Sequence, residues 1–419
     1  MNYKGTPAAI MSEPLVQPNE SPLPLKRNFP VFRLMGGNLI SFVGDQMYLL
    51  ALPLLVLEIT GSPLSMGLVA ALERLPLLAQ PFMGVFTDYF NRKKILIACD
   101  LGRFLLLIGT ALLYFFSLLT MMELSCTAFF IGVFSQIYNT CQFASVPKLV
   151  RKEDLQLVNS INSSLFNTAV FTAPAAGGIV ISLMNPGAAL FMNGLSFLAA
   201  LCAVVSLPLP MSREEVSGRA FMKDVKAGFD YVWSMKPILF TNAAMFFSVF
   251  GTTLFLTMLV FHLKQVIRLD AVQIGWLLSA GGLAAILGSI TSSFVRKHLT
   301  YRSILFAGSI IGGGSIVLFG YADSYVWLLA GNAIGTFAAS IQSPCILTIR
   351  QKLTPDRLLG RVQATSRFLT WFTMPFAAFL AGILADSFGT GRTILTAGVI
   401  VILSSFFYLH RSLGNKALL

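Results

Sequence analysis

Twelve apolar runs, each about as long as a bilayer crossing requires, limit what this chain can become. A helix needs about 20 mostly apolar residues to cross a membrane's hydrocarbon. Such runs fall at about 32–57, 64–86, 95–118, 124–146, 158–184 and 187–208. After a polar stretch, six more follow at about 238–262, 271–295, 303–320, 325–348, 361–385 and 392–409. In lipid only helices and closed barrels satisfy their own backbone. The expectation is therefore an all-α membrane protein, with twelve transmembrane helices in two pseudo-symmetric six-helix bundles. Composition agrees: with 55% hydrophobic and 11% charged residues, most of this surface must face lipid rather than water.

The bases set the orientation. Lys26, Arg27 and Arg33 precede the first run; Arg92, Lys93 and Lys94 follow the second; Lys148, Arg151 and Lys152 follow the fourth. Arg213 to Lys236 follow the sixth, Arg296, Lys297 and Arg302 the eighth, and Arg350, Lys352, Arg357 and Arg361 the tenth. The alternate loops hold only Lys264, Arg268 and Arg392. Basic loops stay in the cytoplasm, so both termini are expected there, with the chain multi-pass in the cell (plasma or inner) membrane. The same distribution explains the net charge of +12 without nucleic acid, since no basic polar face is formed.

The expected organisation is a disordered cytoplasmic tail over 1–30, a first bundle over 31–210, a cytoplasmic linker over 211–236, a second bundle over 237–410 and a tail over 411–419. The linker carries Phe221, Val225, Phe229 and Val232 on one helical face, suited to lying along a membrane surface. Cys99, Cys126, Cys141, Cys202 and Cys345 lack paired or metal-like spacing and read as free thiols. No metal or cofactor is expected. There is no phosphate-binding Gly-x-x-x-x-Gly-Lys-Ser/Thr loop, and no nucleophile–base pair, so neither ATP nor enzymatic catalysis is expected.

Between the second and third runs stands GVFTDYFNRKKIL, with Gly84, Asp88, Arg92 and Lys93 at even spacing. It resembles the Gly-x-x-x-Asp-x-x-x-Arg-Lys loop between helices 2 and 3 of the major facilitator superfamily, with Tyr89 and Asn91 departing from the pattern. The resemblance implies a secondary transporter whose halves are latched by this loop on the cytoplasmic side. GSITSSFVRK repeats the frame in the second half, with Ser292 in place of Asp88. Phe171-Thr172-Ala173-Pro174 likewise matches Phe372-Thr373-Met374-Pro375, and Ser145-Val146-Pro147 matches Gln342-Ser343-Pro344. Offsets of about 200 residues at three places point to duplicated halves. SFVGDQMYLLALPLLV, NGLSFLAAL and QKLTPDRLLGRV resemble the branch holding bacterial macrolide exporters, the enterobactin exporter and lysophospholipid transporters.

Of the 18 acids, Asp45, Glu73 and Asp100 fall well inside apolar runs, all in the first half. Such residues are costly in lipid and mark function or paired scaffolds. Asp45 lies about 20 Å along the first helix and Glu73 about 14 Å along the second from the other side. Asp45, Glu73 and Arg74 are thereby set near the midplane, either as a proton-coupling group or with Asp45 and Arg74 as a permanent ion pair. Asp100 and Arg103, three apart, form an intrahelical pair near the cytoplasmic gate. Pro174, Gly177 and Gly178 resemble the helix 5 motif of antiporters in that family, with Ala169 and Ala173 replacing its leading glycines. Phe171, Phe247, Phe250, Arg367, Trp371 and Phe372 are candidates for the lining of a substrate cavity, or for packing.

The expected function is secondary active transport by alternating access: proton-coupled efflux of an amphipathic small molecule such as a drug, macrolide-like compound or siderophore, by a monomer in the bilayer. A lysophospholipid flippase and a non-transporting membrane sensor are the alternatives.

Overall fold

The computed structural model describes residue 25 and residues 28–80, 83, 86–87, 90–151, 153–207 and 218–414. The tail expected before residue 25, the start of the linker and the last five residues lie outside these, as do Gly84 and Asp88 of the loop motif.

The first half comprises α1 (Phe29–Thr60), α2 (Pro63–Arg74), α3 (Arg92–Phe115), α4 (Met121–Leu149), α5 (Leu155–Leu183) and α6 (Pro186–Val205). A connecting helix, α7 (Gly218–Ser234), leads to α8 (Lys236–Phe261), α9 (Ala271–His298), α10 (Tyr301–Tyr321) and α11 (Tyr325–Leu353). The chain then forms α12 (Asp356–Trp371), α13 (Met374–Phe388) and α14 (Thr390–Ser404). Among the described residues, ten helical stretches are long and apolar enough to cross a membrane unaided. The twelve-helix arrangement is completed by α2 and α11. Pro76 lacks an amide proton, and α2 tightens there into a 3-10 turn over Leu75–Ala79. The run at 361–385 is also interrupted, between α12 and α13, just before Pro375.

Local chemistry marks the boundaries. Pro30 opens α1, and Gly61 at φ 62° closes it in the left-handed region that a side chain would strain. The Asn91 side chain accepts from the Lys94 amide at 3.2 Å and caps α3. Asp270 and Gln273 form a reciprocal capping box at the start of α9. The connecting helix does not leave its apolar face free. Val232 is buried with Ile238 and Val362, α7 packs on α12, and the Tyr231 hydroxyl donates to the Leu353 carbonyl. The side chain of Phe221 lies outside the described residues.

The halves meet at the end remote from the basic loops. There one hydrophobic cluster runs from Leu50 and Leu55 through Leu254 and Met258 to Ala377 and Ala381. At the basic end the core is divided: Leu34, Leu96 and Cys141 belong to one cluster, Ile304, Leu305 and Ile349 to another. The bundles are thus sealed at one end and separate at the other.

Small residues make the seal. A Cβ added at Gly67 would lie 2.6 Å from Gly382 Cα, and one at Gly282 would lie 2.7 Å from Phe171 Cα. Lipid offers no hydrophobic drive between helices, so such close packing supplies the attraction instead. Gly67→Leu should wedge α2 from α13. Spin-label distances between positions 64 and 388 should lengthen; an unchanged distribution would show that this contact does not hold the end shut.

Candidate functional site

Midway between the halves lies a cavity of about 330 Å³. Its walls are mostly apolar, with Leu52, Val69, Leu256 and Val260 from both bundles. Glu73 and Arg74 are, among the described residues, the one acid and the one base of this lining. The position of Glu73 depends on a glycine. At Gly132 of α4, any Cβ would collide with the Glu73 carbonyl, so the bare backbone lets α4 close on the end of α2. Arg74 turns back along its own helix, its Nη1 donating to the Ala70 carbonyl at 3.0 Å.

Asp45 and Arg74 make no ion pair. Asp45 lies where α1 closes on α6, with Arg103 of α3 as its strongest cationic neighbour. Asn193 Oδ1 accepts from Ser196 Oγ at 3.0 Å. Gly44 permits this approach, because a Cβ there would strike Asn193 and Ser196. One turn along α1 from Asp45, the Tyr48 hydroxyl is buried without a partner, within electrostatic reach of both Glu73 and Asp45.

Behind them, Asp100 and Arg103 form a buried ion pair on α3. The guanidinium lies 4.3 Å from the Tyr138 ring centre and 4.1 Å from that of Phe197. These rings fix it between α4 and α6, and each desolvated cation–π contact is worth about 2 kcal/mol. Removing Arg103 alone strands a carboxylate with 0% exposure, at a cost of about 3–5 kcal/mol. Arg103→Met should therefore lower the thermal unfolding midpoint sharply, and adding Asp100→Asn should restore much of it. Equal loss in the single and double variants would contradict the pairing argument.

The other sequence candidates are dispersed. Lys93 Nζ donates to the Leu207 carbonyl at 2.8 Å, tying the start of α3 to the end of α6 within one half. The Arg92 carbonyl accepts from Cys141 Sγ. Pro174 lines the cavity. Gly178 faces the Ala271 backbone across the halves, whereas Gly177 faces Met47 of α1. Phe171 packs against Gly282 at the seal. Phe247 stacks on Phe407, and Phe250 packs on the main core. Arg367 is exposed and lies 4.0 Å over the Trp371 ring, while Phe372 contacts Phe368 and Phe376. None of Phe171, Phe247, Phe250, Arg367, Trp371 and Phe372 borders the cavity. The sequence reading passed over Tyr48 and Asn193. Tyr48 stands one helical turn from Asp45, and Asn193 is a polar residue inside an apolar run; both signals were available.

Two helical bundles sealed at one end around a polar-spotted cavity define a multi-pass membrane transporter of small molecules. The family model of the Major Facilitator Superfamily matches residues 34–372, and the chain belongs to that family. It is 23% identical to "Multidrug efflux pump Tap" of Mycolicibacterium fortuitum, over 89% of this chain and 93% of that protein. It is 26% identical to "Enterobactin exporter EntS" of Shigella dysenteriae, over 91% of this chain and 93% of that one. Among solved structures, a bacterial homologue of the iron transporter ferroportin in an inward-facing state superposes with a TM-score of 0.76. That match has 16% identity and covers 94% of this chain and 100% of the other.

Proposed function

We propose that this protein exports an amphipathic organic compound in exchange for protons, with Glu73 and Asp45 as the proton-binding acids. The observation that carries this reading is the placement of Glu73 as the acid of the inter-bundle cavity among the described residues, with Asp45 and the unpartnered Tyr48 hydroxyl within its electrostatic reach. The names of the relatives, an efflux pump and an exporter, support the direction. The basic end faces the cytoplasm on this reading, since basic loops are retained there. The separated end is then the inner one, and the cavity is loaded from inside. The transporter acts as a monomer in the cell membrane, with both termini in the cytoplasm.

Each step follows from charge. With Glu73 ionised, the cavity carries one negative and one positive side chain. A proton on Glu73 leaves Arg74 without its adjacent counter-charge, and the cavity gains a net positive charge that either closure or substrate must accommodate. Asp45 provides a second acid, in the field of Arg103. It does not line the cavity and is the less directly connected to substrate.

Reconstitution into vesicles with an imposed pH gradient tests the reading. Glu73→Gln should abolish concentrative transport of a fluorescent amphipathic drug while leaving its binding and passive exchange measurable. Asp45→Asn should reduce gradient-driven transport at least tenfold, the scale on which losing a positioned proton carrier is felt. If both variants still concentrate substrate, the coupling site lies elsewhere. Dissipation of a lysophospholipid asymmetry without drug transport would favour a flippase instead.

A further inference from the structure

The two halves differ at the basic end, and the difference leaves a cavity. In each half an asparagine on the first helix bonds to the fifth. Asn38 Nδ2 donates to Asn162 Oδ1 at 3.1 Å, and Asn242 Nδ2 donates to Ser366 Oγ at 2.9 Å; both bonds join residues 124 positions apart. One sequence step relates Asn38 to Asn242, Asn162 to Ser366 and Gly84 to Gly288, and the same step, which also aligns the ends of α4 and α11, pairs Val146 with Arg350 rather than with the Ser343 of the Ser-Val-Pro and Gln-Ser-Pro match. In the second half the Arg350 side chain, 6% exposed, fills the space beside the conserved-geometry bond. Its Nη2 donates to Asn242 Oδ1 at 2.8 Å and contacts Met245 Sδ at 3.3 Å.

Val146 is too short to do the same. The first half instead holds a cavity of about 210 Å³ between α1, α4 and α5. Asn38, Asn139, Gln142, Asn159 and Asn162 line it above an apolar floor, and no charged side chain is in the described lining. Asn139 with Gln142, and Asn159 with Asn162, are each three apart, so each pair shares one helix face. The Asn38–Asn162 bond uses one group of each amide. That leaves the Asn38 oxygen as an acceptor and the Asn162 nitrogen as a donor in the same lining.

This chemistry selects by charge. Arg350 is delivered to its niche covalently, whereas a free cation would surrender its hydration for amides with no counter-charge, and an anion would find no base. A hydroxyl or carboxamide, donor and acceptor at once, matches the pair of free groups. The same face of α5 continues past Phe166 and Asn167 to Val170 and Pro174, which border the central cavity. An apolar body attached to that group would lie along this face.

We propose that this amide-lined cavity is the entry subsite of the transporter, taking the uncharged hydroxyl or carboxamide end of an amphipathic substrate whose apolar body lies along α5. The proposal deepens the export reading and rests on it for the direction of loading.

Binding can be read without transport. Dansyl-hexyl probes ending in a hydroxyl, a primary amide, a trimethylammonium or a carboxylate would be titrated by fluorescence into the purified full chain in lipid nanodiscs. The two neutral probes should bind about tenfold or more tighter than the charged ones, as expected where a site hydrogen-bonds its ligand. Val146→Arg, which copies the second half, should bring the neutral probes down to the level of the charged. Should that variant fail to elute as folded protein, Asn139→Leu combined with Asn159→Leu, both on exposed positions, must give the same loss. Equal binding of all probes, a preference for trimethylammonium, or undiminished binding in the folded variants overturns the proposal. Neutral-selective binding without concentrative transport leaves the subsite standing and refutes the export reading alone.

Discussion

Backbone-close packing between the halves, through Gly67 with Gly382 and Gly178 with Ala271, is the contact on which the remaining architecture depends. Water drives soluble domains together, but lipid is as apolar as the helices it surrounds. Dispersion at short range, joined by the Ala175 amide donating to Ser279 Oγ at 3.0 Å, holds the two bundles to each other, and that requires residues without bulk at the crossing points. Because these lie near one end, the core is continuous there and divides at the other. The central cavity follows as the space left where the bundles diverge.

Charge is distributed as unevenly as the packing. The interior of the first bundle gathers Asp45, Glu73 and Asp100 around Arg74 and Arg103. On the coupling reading, a single proton brings these groups to balance, so the bundle alternates between an excess negative charge and none. The second bundle offers no comparable acid. Its buried cation, Arg350, donates through Nη2 to an amide oxygen and touches a sulfur, while its Nε is buried without a partner. Two folds built from one repeat have thus diverged in chemistry while retaining the Asn38 and Asn242 bonds that fasten first helix to fifth.

The twelve crossings were legible because lipid imposes a length and a composition on each. Where polarity or proline intervened, at α2 and α11, the runs were visible but their interior geometry was not. Depth along a helix could be counted, so Asp45 and Glu73 were set at similar levels from residue numbers alone. Rotation about the axis could not be counted, because it depends on the partner helices. That is why Arg74 was a plausible mate for Asp45, although α1 turns this stretch towards α6 and Arg103 is its strongest cationic neighbour. The Asp100–Arg103 pairing needed only the helical repeat. Phenylalanines misled for a statistical reason: with 36 in the chain, an aromatic on a helix says little about which surface it serves. Uncharged amides were discounted along the sequence, and their convergence became evident only when α1, α4 and α5 were side by side.

The connecting helix has a mechanical consequence. With Val232 locked beside Val362, and Tyr231 bonded to the end of α11, α7 is cargo of the second bundle. Any rocking of one bundle against the other therefore carries α7 along with the second. A load hung on α7, such as a fused domain or a bound protein, would ride with the second bundle as ballast and leave the inertia of the first unchanged.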